Sequence, residues 1–189
     1  MNPPQSDLAV FLARLGLWRE LARVPFEYAV YELEAALLRT DCINEELVNA
    51  VVAVGESSLS HLLPIVRSGR PVSKCLMVAI TRLALTSTHH EAAMKEVRDC
   101  ALWVLERNPA AGAVALSELG DPSVLQLVED RFAALPSASS EWVDPEPSTR
   151  NSRGGCIEVW SYPDGYHELK HCIQRLREIS GPSGVVAER

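Results

Sequence analysis

Residues 57–85 read SSLSHLLPIVRSGRPVSKCLMVAITRLAL, and their pattern decides the fold class. Residues 57–68 carry apolar side chains at helical spacing, with Pro64 inside as a kink. Gly69 and Pro71 mark a turn, and residues 71–85 form a second, strongly apolar helix. Two helices joined by a short turn cannot hide two greasy faces from water by themselves. The pair therefore needs neighbours of the same kind.

The chain supplies them on both sides. Upstream, residues 7–23 place Leu8, Phe11, Leu12, Leu15, Trp18 and Leu21 at helical spacing, with Ser6 or Asp7 as cap. Pro25 opens a helix to Arg39 whose buried face is Phe26, Ala29, Val30, Leu33, Ala36 and Leu37. Asn44 caps a helix to Val54, and Gly55 ends it. Downstream, a helix from His90 to Arg107 stops at Asn108-Pro109, because the residue before proline resists the α region. Residues 110–119 and 122–135 make a further pair around Gly120, Asp121 and Pro122, with Asp121 as cap.

Beyond Leu135 the character changes. Residues 136–155 are rich in Ser, Pro and Gly without a period and read as a loop. A short extended segment at Ile157, Val159 and Trp160 follows, then a turn at Pro163-Asp164-Gly165. Leu169, Cys172, Ile173, Leu176 and Ile179 predict a C-terminal helix, with a hairpin as the alternative, and residues 180–189 read as a frayed tail. The expected layout is a helical domain over 1–135, a loop over 136–155 and a strand-helix appendage over 156–189.

The stretch from Ser57 to Leu83 resembles a HEAT repeat, a unit of two antiparallel helices. Leu62, Leu63 and Pro64 match its kinked first helix. Val72, Cys75, Leu76, Ala79, Ile80 and Leu83 match its small-residue-rich second helix. Ala110 to Leu135 carries a weaker match through the junction Leu119, Gly120, Asp121 and Pro122. The resemblance implies a mainly α fold, antiparallel helix pairs stacked as a short α-solenoid, and a surface that binds proteins.

Composition narrows the function. The chain has 189 residues, 47% apolar and 23% charged, with a net charge of −7. Residues 1–60 hold nine acids, Asp7, Glu20, Glu27, Glu32, Glu34, Asp41, Glu45, Glu46 and Glu56, against four arginines. An acidic surface repels phosphate backbones and attracts basic proteins, so a protein partner is expected rather than a nucleic acid. There is no signal-peptide pattern and no long apolar run, so a cytoplasmic location without membrane contact is expected. The cysteines Cys42, Cys75, Cys100, Cys156 and Cys172 form no CxxC pair and read as reduced thiols. No phosphate loop, GxGxxG or GxSxG elbow occurs, so no cofactor is expected.

Two candidate sites follow. The first is a partner-binding surface around Glu27, Tyr28, Tyr31, Glu32 and Glu34, where tyrosines offer large contact area at low entropy cost. The reading it supports is a non-enzymatic protein-binding module, in its narrower form a bacterial immunity protein that neutralises a toxin. The second is the HExxH match at 167–171. There His167 and His171 would share a zinc ion and Glu168 would be the base of a hydrolase. The flanking apolar stripe instead favours a solvated amphipathic helix.

Overall fold

The computed structural model describes residues 5–40, 42–143 and 157–181. It is mainly α-helical. The helices are α1 (Gln5–Arg14), α2 (Trp18–Leu21), α3 (Phe26–Arg39), α4 (Glu45–Val54), α5 (Ser57–Arg67), α6 (Lys74–Thr86), α7 (His90–Leu105), α8 (Pro109–Leu119), α9 (Leu125–Ala133) and α10 (Tyr166–Ser180). Strands β1 (Ser139–Val143) and β2 (Ile157–Ser161) form an antiparallel ladder with Ser139 opposite Ser161 and Val143 opposite Ile157.

Local chemistry sets most boundaries. The Asn44 side chain accepts the Leu47 N–H, Ser73 accepts from Leu76, Asn108 from Ala111, and Asp121 from Ser123 at a 3-10 turn leading into α9. Pro109 and Pro122 occupy first turns, where a missing N–H loses nothing. Two of these caps also tie the chain together at long range. Ser73 Oγ donates to the Leu37 carbonyl at 2.5 Å, and Asn108 Nδ2 donates to the Val72 carbonyl at 2.9 Å.

The helices alternate in packing. α2 lies on α4, α4 on α6, α6 on α8 and α8 on α10, while each odd-numbered helix packs beside the even one that follows it. α6 and α8 sit at the centre and are covered almost all round. Cys75 to Thr81 are buried without a break, as are Ala110 to Ala113 and Ala115 to Ser117. Small residues permit this. A Cβ on Gly112 would fall 2.4 Å from the Leu105 Cα, so α7 and α8 cross with backbones touching and only glycine fits.

Charges brace the same centre. Arg82 on α6 binds Glu45 of α4 through two hydrogen bonds, at 2.5 and 3.1 Å, and reaches Glu118 of α8 at 3.4 Å. Lys74, at the other end of α6, donates to Glu168 of α10 at 2.7 Å.

Two expectations change. Residues 7–23 are not one helix. Gly16, at φ 68°, ends α1, with Leu17 N–H bonded back to the Leu12 carbonyl and Gly16 N–H to that of Ala13. That is a Schellman stop, which glycine makes without steric cost. Of the first apolar series, Leu12 and Leu21 are buried and Trp18 is half-buried, whereas Leu8, Phe11 and Leu15 are exposed.

The stretch 136–155, expected to be loop, contains β1, so there are two extended segments and not one. A polar five-residue strand gains its stability from backbone bonds to a partner many residues away, which no local period records. The remainder of that stretch from 144, Asp41, Cys156 and the tail from 182 lie outside the described residues.

The C-terminal segment is helix rather than hairpin. Leu169, Cys172, Ile173 and Leu176 of α10 belong to the same apolar core as α1 through α9, packed on α8 and α9. Among the described residues, no single helix is long and apolar enough to cross a membrane.

Candidate functional site

The face of α3 turned from the core carries the tyrosines. Ala29, Val30, Leu33, Ala36 and Leu37 fix its orientation by burying the opposite side. Tyr31 is then 66% exposed and Tyr28 39%, with Glu27 exposed and Glu32 half-buried beside them.

Tyr31 is exposed but not loose. Its ring meets His61 of α5 edge-on, with centroids 5.8 Å apart and planes at 90°, and Phe26 meets the same imidazole at 6.4 Å. His61 Nε2 donates to Glu34 Oε2 at 3.0 Å. Arg70, beyond the end of α5, approaches the other Glu34 oxygen at 3.5 Å. Glu34 thus differs from its neighbours. Its side chain is 17% exposed and holds His61 and Arg70 rather than facing outward.

Of the five residues expected at this face, Tyr31 and Glu34 are joined through His61, and Tyr28 lies one turn before Tyr31. His61 and Arg70 were not among the expected residues. Nothing local to α5 signals that a histidine beside Leu62 and Leu63 points at a helix 27 residues earlier.

The acidity of the first sixty residues is partly spent inside the fold. Glu34 pairs with Arg70, and Glu45 with Arg82. Glu56 accepts from the Ser87 and Thr88 hydroxyls at 2.6 and 2.7 Å, bonds that hold its carboxyl below the usual range.

The HExxH segment forms the first turns of α10. Glu168 accepts the Lys74 ammonium. Burial works to raise its pKa, but the Lys74 bond, its own backbone N–H and the nearby positive charge outweigh that and lower it. The carboxylate is therefore committed to a structural ion pair linking α6 to α10. His167 packs edge-on against Tyr162 at 5.0 Å and Tyr166 at 5.3 Å, while His171 faces solvent.

Among the described residues, no group of three or more His, Cys, Asp or Glu side chains is placed to hold a metal ion. The buried thiols are inert in character: desolvation raises Cys75 and Cys100, and pushes Cys172 up to about 12.

At the far end of the molecule an open cleft of about 750 Å³ lies between α9 and α10. Phe132, Tyr166 and Ile173 line it, and Arg177 bonds Glu129 across it at 2.7 Å. No protein-family model, curated protein or solved structure matches this chain.

Proposed function

We propose that this chain is a non-enzymatic protein-binding module, a short HEAT-like stack of helix pairs that docks its partner on α3. The observation that carries this reading is Tyr31, which is 66% exposed yet held edge-on by His61 and, through it, by Glu34. An aromatic ring fixed before binding loses little entropy on contact, which is the character of an interface hot spot.

Tyr28 extends the contact, and Glu27 and Glu32 supply the acid at its border. Glu34 acts beneath them as a positioning residue. The repeat reading draws support from the alternating packing and from odd helices that begin at Phe26, Ser57, His90 and Leu125.

The partner is a protein with a basic docking surface. Within that class, small size and net charge −7 favour an inhibitor of the immunity type, which blocks a toxin in the cytosol by covering it.

A photo-crosslinking amino acid in place of Tyr31 tests the docking face. It should capture one discrete partner, and the pair Tyr28→Ala with Tyr31→Ala should weaken binding of that partner about tenfold or more. Equal capture from a crosslinker at exposed Gln126 on α9, or unchanged binding by the double variant, would sink the proposal.

A further inference from the structure

The free end of the helix row presents a surface that the partner-binding reading leaves unused. α1 faces the core with Ala9 and Leu12, and Ala13 packs partly buried beside them. Its outer side carries Leu8 at 37% and Phe11 at 57% exposure, and Leu15, just past its last residue, is 57% exposed. Terminal units of a stacked helical protein ordinarily turn a polar face to water. Here three large apolar side chains take that place.

Their spacing puts them on one helical face. Leu8 and Leu15 are seven residues apart and Phe11 is three beyond Leu8, the seam of a two-helix coiled coil. One edge of that seam is charged. Asp7 precedes Leu8 and Arg14 precedes Leu15, so both occupy the same position of the seven-residue repeat. Both are exposed, and among the described residues neither has an ion-pair partner.

We propose that this face joins two copies of the chain, α1 against α1 and antiparallel, about a two-fold axis near Phe11. A two-fold contact must be complementary to itself, because the same patch is used twice. An acid at one end of the edge and a base at the other satisfy that requirement in the antiparallel arrangement. There, like edges meet, and Asp7 lies beside the partner's Arg14 at both ends. The antiparallel order also sets the positive end of each helix dipole against the negative end of the other. The contact is only a few turns long, so the dimer is a weak one, in the micromolar range. It does not depend on the α3 reading, and either can fail alone.

Sedimentation equilibrium of the full chain from about 1 µM to about 1 mM tests this directly. The expected result is a reversible monomer–dimer equilibrium. Phe11→Glu should raise its Kd about tenfold or more, with helical content unchanged by circular dichroism.

Asp7→Arg and Arg14→Asp should each raise Kd about fivefold, since each turns two attractive pairs into two repulsive ones. The double swap D7R/R14D should return Kd to within about twofold of the starting value, because it rebuilds both pairs in reverse. A chain that stays monomeric throughout overturns the proposal, as does a dimer indifferent to Phe11→Glu. A double swap no better than the single reversals overturns the antiparallel arrangement.

Discussion

α1 and α8 are helices of similar length and both are rich in apolar residues, yet their surroundings are opposite. α8 lies between α6, α7 and α10, and its alanines and Gly112 let those helices close around it. α1 sits at the end of the row with two buried side chains, while Leu8, Phe11 and, just past its end, Leu15 turn outward. Position in the stack decides this, and composition alone does not. A central helix must be small on every side to be surrounded. A terminal one has a face that the neighbouring helices leave open, and bulky apolar side chains there stand available to a partner.

The contrast can be broken most severely at the centre. Gly112→Val would drive a branched side chain into the Leu105 backbone, where even a Cβ meets atoms at 2.4 and 2.5 Å. Separating α7 from α8 should cost about 4 kcal/mol or prevent folding altogether. Urea unfolding measures it, and a loss below about 1 kcal/mol would mean the crossing is looser than described.

A smaller effect is expected at the clamp between α6 and α10. Lys74→Met removes the partner of Glu168 and should destabilise the protein by about 1 kcal/mol at neutral pH. The pH dependence has a defined sign. Glu168 has a folded-state pKa below its ordinary value of 4.5, so the unfolded chain binds its proton first as acid is added. Its contribution is complete above that ordinary value and fades as pH falls through the lower folded one. The stability gap between the parent chain and Lys74→Met should therefore narrow below pH 4.5, read from unfolding midpoints across an acid series. A gap that widens in acid would show that Lys74 acts through something other than Glu168.

The smallest change belongs to the end of the row. Phe11→Ser alters a side chain that is 57% exposed and should leave the unfolding free energy of dilute protein within about 0.5 kcal/mol. A loss of 2 kcal/mol or more, on the order of a core truncation, would erase the distinction between the two regions.

The candidate site divides along the same lines. Tyr28 and Tyr31 were legible as outward-facing because the stripe Ala29, Val30, Leu33, Ala36 and Leu37 fixes the opposite side of α3 by period alone. Glu34 was legible only as another acid on that helix. Its use as a half-buried anchor depends on His61 and Arg70, which arrive from another helix and a turn. The HExxH segment depends on distant partners in the same way. Spacing put two histidines on one helix, but the fold gave the intervening glutamate to a lysine 94 residues away.

The amino-acid order by itself determined where helices form and stop. Asn44, Ser73, Asn108 and Asp121 cap their elements through bonds that span two or three residues, and the apolar period of 3.6 chooses the inward face. Even the break at Gly16 was written locally, as a glycine after a helical turn, although the continuing apolar period concealed it. Tertiary structure alone decided which apolar stripe stays uncovered, which acids are neutralised, and that β1 is a strand. Those outcomes rest on partners tens of residues distant, and a pairing free energy at that separation exists only once the chain has closed the loop between them.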